Sequence, residues 1–492
     1  DPETIGSSGN RLDPSQQPVP YKTYQIGTDV DLNVYLETAP EIGSPEEHLF
    51  RLSRLLYLSY GITGVVPFPD SPFYMRSAPS AGGLYPAEVY LIARDGSMLP
   101  AGLYNYQAQS HHLIRYWDNY LWSELEAACL WHPSLSQCEI ALVVTAVFQR
   151  SAWRYQDRAY RRIFLDSGHL LGNIELAANL QDYRAHLIGG FQDQRLNNLL
   201  FLDSQKEGAI AVLTLADLLL VEQNLAPAPT ALPSNRVEDF PEIPDGDLLH
   251  FCHQATEIQN QNNSYAELSQ PHMALEAPTD KYNFPFGLKL ALEPSTIDWG
   301  DNLDELSESM LKRRSTRRFS GRSLNLEQLA AIIGFAYHPE TYVDQLLDST
   351  PDYFDLSLIE TFIAVTDVEG LEEGCYYYAV NAQELRQIRF KNFRAELHFL
   401  CLQQDLGRDA AAIVFHTADL TMAVDRYGDR AYRYLHMDAG HLGQRINLAA
   451  TQMQVGVSGI GGFFDDLVNE VLGIPTDEAV LYITTLGQPV SS

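Results

Sequence analysis

Leu49, Leu52, Leu55 and Leu56 fall on one face of a helix predicted over residues 46–62. Leu326, Leu329, Ile332 and Ile333 repeat that spacing over 324–337. Short apolar runs bounded by turn residues predict strands at 89–93 and 361–365, and again at 140–147 and 412–417. A long helix follows in each series, over 157–181 and 429–453, and a strand closes each, at 209–215 and 480–486. The same elements thus occur twice in one order. Helices with a mixed or antiparallel sheet place the chain in the α+β class. No Gly-x-Gly-x-x-Gly follows a predicted strand, which argues against a dinucleotide-binding βαβ unit.

The repetition extends to single residues at a constant offset of 272. Arg154-Tyr155-Gln-Asp157-Arg158-Ala159-Tyr160-Arg161 returns as Arg426-Tyr427-Gly-Asp429-Arg430-Ala431-Tyr432-Arg433. Asp166-Ser-Gly168-His169 returns as Asp438-Ala-Gly440-His441, and Gly189-Gly190-Phe191 as Gly461-Gly462-Phe463. Gly102-Leu-Tyr104 matches Gly374-Cys-Tyr376, and Ser77-Ala-Pro79 matches Ser349-Thr-Pro351. A unit of about 200 residues is far longer than a solenoid repeat and reads as a domain duplication. The expected organisation is an N-terminal arm at 1–45, copy one at 46–221, a linker at 222–305 and copy two at 306–492. The arm is polar and punctuated by Pro and Gly. The linker carries Pro-Ala-Pro, Pro-Glu-Ile-Pro and Asn-Gln-Asn-Asn, with one short helix expected near 247–258.

Composition narrows the chemistry. The chain has 64 acidic and 33 basic side chains, a net charge of −31. This argues against a nucleic-acid backbone or an anionic membrane as partner. The five cysteines show no Cys-x-x-Cys or Cys/His spacing, so no metal site or disulfide framework is expected. No apolar run approaches the ~18–20 residues of a membrane span. The start is not a signal peptide, and its lack of a methionine leaves room for residues ahead of Asp1. A cytoplasmic protein is the expectation.

Three segments could carry chemistry. Arg313-Arg314-Ser315-Thr316-Arg317-Arg318 places guanidinium forks and hydroxyls together, a set suited to a phosphate dianion. The alternative is a solvated basic patch. Ser77-Ala-Pro79-Ser80-Ala-Gly82-Gly83 could bring backbone amides close to a ligand, or form an ordinary tight turn. Ile460-Gly461-Gly462 could lie edge-on to a flat ring, or cap the long helix. Asp166/His169 and Asp438/His441 sit three apart on a helical face, where packing at a seam between the copies is expected.

The ordered set of Arg-Arg-Ser-x-Arg, Pro-Ser-x-Gly-Gly-x-x-Pro, Arg-x-x-x-x-Asp-x-Gly-His and Gly-Gly-Phe resembles the nitroreductase-like flavoproteins, and more narrowly their SagB/ThcOx branch of dehydrogenases. The resemblance covers both copies. It implies an α+β fold, a dimer-like functional unit, FMN at the interface and FMN-dependent oxidation or reduction. NAD(P)H is an implied partner, and the substrate is an implied small molecule or peptide. In branch members that mature peptides, it implies oxidation of azolines to azoles. Those members carry Lys-Tyr where this chain has Arg154-Tyr155 and Arg426-Tyr427. Arginine stays protonated and makes a poor base, whereas Tyr155 or Tyr427 could relay a proton.

The copies differ where the resemblance places the cofactor. Copy one keeps Ser80-Ala-Gly82-Gly83, and copy two has Asp352-Tyr-Phe354-Asp355 there. Copy two has the arginine cluster, and copy one offers only Arg11 in its arm. The resemblance therefore implies one FMN per chain. Arg313, Arg314, Ser315, Arg317, Ile460, Gly461 and Gly462 would come from copy two, and Ser77, Pro79, Ser80 and Gly82 from copy one. Family members often end on a basic residue near the phosphate, where this chain has Gln488. The other reading is a pseudo-dimer that binds a flavin or a partner without catalysis. Further association into a homodimer is left open.

Overall fold

The computed structural model describes residues 12–490 except 42, 68–71, 97, 221–227, 260–262, 270–279 and 294. Arg11, Pro227 and residues 260–262 of the linker lie outside the described residues. Two seven-stranded sheets share one strand order. In the first half it is Thr28–Asp31, His112–Trp117, Gly102–Gln107, Ala87–Ala93, Ile140–Val147, Glu207–Asp217 and Tyr183–Ile188. In the second it is Lys289–Ala291, Glu384–Arg389, Gly374–Ala379, Glu360–Val365, Ala412–Asp419, Glu478–Gly487 and Gly456–Ile460. Every pairing within these two sheets is antiparallel.

The predicted helices form as Glu47–Tyr60 and Leu326–Tyr337. The long pair form as α1, Ala159–Asn179, and α2, Ala431–Gln452. The linker helix is Leu248–Ala255. Each first edge strand comes from outside the predicted repeat: Thr28–Asp31 belongs to the arm and Lys289–Ala291 to the linker. The two segments also make a matching ion pair. Lys22 Nζ reaches Glu207 at 2.5 Å, and Lys281 Nζ reaches Glu478 at 2.6 Å.

The sheet interiors are buried on both faces, as the run Ala87–Ala93 illustrates. Alternation divides its side chains. Val89 and Leu91 enter a core shared by both halves, and Tyr90 and Ile92 enter a smaller core built by the first half and the linker. The shared core is built on α1 and α2, which are buried almost all round. They cross where Gly168 meets Gly440. A Cβ on Gly168 would press on the Met437 carbonyl and stand 2.9 Å from the Gly440 Cα. His169 fixes the same seam through hydrogen bonds with Gln444 Oε1 and Tyr482 Oη at 2.8 Å each. The halves therefore form an intramolecular pseudo-dimer with one continuous core.

The glycines after α2 do not cap it. The helix ends at Gln452, and the edge strand Gly456–Ile460 intervenes before Gly461. That strand lacks the alternating β-branched pattern that announced the others, and its glycines weaken the strand signal.

Candidate functional site

The helix Asp304–Lys312 of the second half delivers Arg313 into the seam. Arg313 is buried. Its Nε donates to the Ser77 carbonyl at 2.8 Å and its Nη2 to the Arg76 carbonyl at 3.3 Å. Its Nη1 and the Ser77 Oγ are both buried without a hydrogen-bond partner. Burial pushes the Arg313 pKa down to about 10. Arg314 is committed to backbone, with Nη2 on the Thr63 carbonyl at 2.5 Å and Nη1 on the Arg313 carbonyl at 2.7 Å. Thr316 exchanges hydrogen bonds with Val457, pinning the arginine segment beside the strand Gly456–Ile460. Ser315 is half-buried and Arg317 is exposed.

The Ser80 loop faces this segment from the first half. Gly82 and Gly83 have φ of 65° and 66°, the left-handed region that favours glycine. Ser80 Oγ donates to Asp166 Oδ2 at 2.6 Å, and the Ala81 amide donates to both Asp166 oxygens at 3.0 and 3.1 Å. The Ser80 hydroxyl is thus engaged in holding the loop on α1. Burial pushes the Asp166 pKa up to about 7 against the pull of these bonds.

A Cβ on Gly82 would stand 2.8 Å from Tyr155 Oη and 3.4 Å from Arg154 Cδ. The bare glycine therefore leaves the Tyr155 hydroxyl uncovered. Burial raises the Tyr155 pKa, and the nearby Arg154, Arg162 and Arg317 oppose that rise. The Arg162 guanidinium lies 4.0 Å from the Tyr155 ring centroid. It also crosses the glycine pair, because Cβ atoms on Gly461 and Gly462 would meet its side chain at 3.6 and 3.2 Å. Residues of both halves thus converge on Tyr155. The Gly461 and Gly462 amides have no acceptor among the described residues. Ile460 points elsewhere, its side chain buried in the second half's own core.

The pseudo-symmetric position is filled by the chain itself. Tyr427 Oη donates to Asp355 Oδ2 at 2.9 Å, and Arg426 Nη1 donates to the same oxygen at 2.7 Å. Tyr434 stands where the first half has Arg162, and stacks on Phe354 at 4.7 Å between centroids. The Gly189 and Gly190 amides both donate to the Thr230 carbonyl of the linker, at 2.7 and 3.3 Å. Leu232 packs on Gly190, and Ser234 Oγ accepts from the Arg430 amide at 2.9 Å. In the Ser80 loop's counterpart, the amides of Phe354 and Asp355 hold Asp438. The shared role thus falls a residue or two later than the constant offset places it.

Two contributions were not legible in the sequence. Arg162 lies next to the repeated motif, and its replacement by Tyr434 was the signal available. The linker residues Thr230, Leu232 and Ser234 carry no motif and act through backbone position.

The chain matches the sequence profile described as the Nitroreductase family over residues 44–216 and again over 310–488. A crystal structure at 1.80 Å of a protein from Anabaena variabilis, designated a nitroreductase, is 59% identical, with a TM-score of 0.94. The match covers 100% of this chain and 97% of that one. A protein of Methanocaldococcus jannaschii, also designated a nitroreductase, is 30% identical over 170 residues, 35% of this chain and 85% of that protein. The trifolitoxin-processing protein TfxF of Rhizobium leguminosarum bv. trifolii is 26% identical over 132 residues. That match spans 27% of this chain and 43% of TfxF.

Proposed function

From the premise that this chain belongs to the nitroreductase family, we propose that it is an FMN-dependent oxidoreductase with one flavin per chain at the seam of its halves. The supporting observation is the cradle around Arg313. On a chain of net charge −31, buried polar atoms of Arg313 and Ser77 lack partners, beside the exposed Arg317. Such a set suits a phosphate dianion and would be costly to leave unsatisfied. Arg313, Ser315 and Arg317 would hold the phosphate, and Arg314 would brace the segment. The uncommitted amides of Gly461 and Gly462 would border the ring with the backbone of Ile460. The loop from Ser77 through Pro79 and Ser80 to Gly82 would close the other side.

A bound flavin supplies the hydride-transfer chemistry. The chain's part is to position the substrate, exclude water and hold a proton at Tyr155 Oη. Tyr427 is unsuited to that role because its hydroxyl is bonded to Asp355. A small molecule or peptide is the substrate class, with NADH or NADPH as the candidate reductant.

Purified protein saturated with FMN should carry about one flavin per chain, because the linker fills the second position. A ratio near two would overturn the single site, and no retained flavin would overturn the cofactor. Anaerobic NADH or NADPH should bleach the bound flavin. An unresponsive flavin would favour a binding role over catalysis. Arg317→Ala should weaken FMN retention by about 1.5–3 kcal/mol, or roughly tenfold to a hundredfold in Kd. Arg426→Ala should leave retention unchanged, since Arg426 pairs with Asp355 in the filled half. Equal flavin loss in both variants would contradict these roles.

The likeness to TfxF favours a second reading, a dehydrogenase acting on a peptide in the manner of the SagB/ThcOx branch. Arginine at position 154, where that branch has lysine, weighs against the azoline-oxidising version.

A further inference from the structure

The filled half displays what the Arg-Tyr pair binds. There, Arg426 Nη1 and Tyr427 Oη converge on one carboxylate oxygen, Asp355 Oδ2, at 2.7 and 2.9 Å. Helix-dipole compensation explains an arginine in the last turn of each short helix. It does not explain why the adjacent tyrosine hydroxyl turns to the same oxygen.

The open half repeats the pair as Arg154-Tyr155, at the same place in a helix of the same length, Phe148–Tyr155 against Leu420–Tyr427. It withholds the carboxylate. In the facing loop, Gly82 has no side chain to offer and borders both Arg154 and the Tyr155 hydroxyl. The one carboxylate held by that loop, Asp166, is bonded to Ser80 and Ala81. Among the described residues, Arg154 has no ion-pair partner and the Tyr155 hydroxyl accepts and donates no hydrogen bond.

We infer that Arg154 and Tyr155 form a carboxylate receptor, and that the substrate presents a carboxylate to it as Asp355 does to Arg426 and Tyr427. A guanidinium with a neighbouring hydroxyl matches the two lone-pair directions of one carboxylate oxygen. The phosphate-suited elements, several guanidinium groups with hydroxyls and free amides, lie instead around Arg313 and Gly461. The two anion sites are thus distinct in composition. The inference deepens the flavin-enzyme reading and rests on it for the word substrate, though not for the binding itself.

Benzoate and benzamide have nearly the same shape and differ in charge, so they serve as probes. Their binding to FMN-loaded protein would be followed by perturbation of the flavin absorbance and, independently, by equilibrium dialysis. Benzoate should bind at least about tenfold more tightly than benzamide, as expected for a charge-assisted contact. Arg154→Gln should reduce that preference to within about twofold. Tyr155→Phe should reduce it partially, and Arg426→Gln should leave it intact. Arg154 is exposed, so its substitution spares the core. Equal binding of the two probes, or a preference that survives Arg154→Gln, would overturn the receptor. If the protein retains no flavin yet dialysis shows an Arg154-dependent benzoate preference, the receptor stands and the flavin reading falls.

Discussion

Replacing Asp193 with alanine should cost the protein about 3–5 kcal/mol of stability, the penalty for stranding buried charge. Asp193 is 1% exposed and is the shared anion for Arg430 and Arg433, both 0% exposed, at 2.6 and 2.8 Å. It also accepts the Ile258 amide at 2.8 Å. Without it, two guanidinium groups remain in a core from which water is excluded. The damage should spread, because Arg430 binds the Gly189 carbonyl and Arg433 binds Thr256 and the His253 carbonyl. These contacts anchor the linker helix, and the Arg430 amide also holds Ser234 of the segment that fills the second position. The three groups form one network, so single-variant costs should not add. The melting temperature should fall by roughly 10 °C for a half of this size. Asp193→Asn, which keeps one oxygen acceptor, should fall between the variant and the parent. An alanine variant that melts with the parent would show that the arginines find other partners or water.

Gly168→Ala should be nearly as harmful, though it adds a single methyl. That methyl would press on the Met437 carbonyl and stand 2.9 Å from the Gly440 Cα. Both obstacles are backbone on a buried helix, so neither can turn aside, and α1 and α2 must separate. Overpacking of this kind costs about 1–3 kcal/mol or more. Because the proposed flavin cradle spans the seam, FMN retention should fall with stability. Gly172→Ala is the control. Its Cβ would meet the His441 ring at 2.8 Å and Gln444 Cβ at 3.1 Å, and none of its three nearest atoms is backbone. Thermal melts and flavin retention should therefore rank Gly168→Ala below Gly172→Ala. A reversed order would contradict a backbone-limited crossing.

Much of the fold was legible because its period is strong. The run 140–147 reads as a buried strand and forms as Ile140–Val147, and the leucines of 46–62 form Glu47–Tyr60. Edge strands were harder. Thr28–Asp31 and Lys289–Ala291 lie in polar arm and linker segments, where one neighbour and mostly exposed side chains impose no hydrophobic alternation. The cofactor candidates divide similarly. Arg313, Arg317, Gly82 and Gly461 stand out as residue types in clusters. The engagement of Ser80 by Asp166 and of Arg314 by backbone depends on partners distant in sequence.

The sequence by itself determined that two repeats exist, that each is an α+β unit, and that their differences fall at the Ser80 loop and the arginine segment. Those facts are local: period, residue type and register are written along the chain. Only the tertiary structure decided that both units share one core through the Gly168–Gly440 crossing. It also decided that Arg162 spans the seam, and that the Thr230 carbonyl takes the amides of Gly189 and Gly190. The physical reason is that a buried amide, guanidinium or carboxylate must find a partner. Which partner it finds is set by what the fold brings within hydrogen-bond reach. Asp355 therefore satisfies Arg426 and Tyr427 in one half, and the same pair stands open in the other.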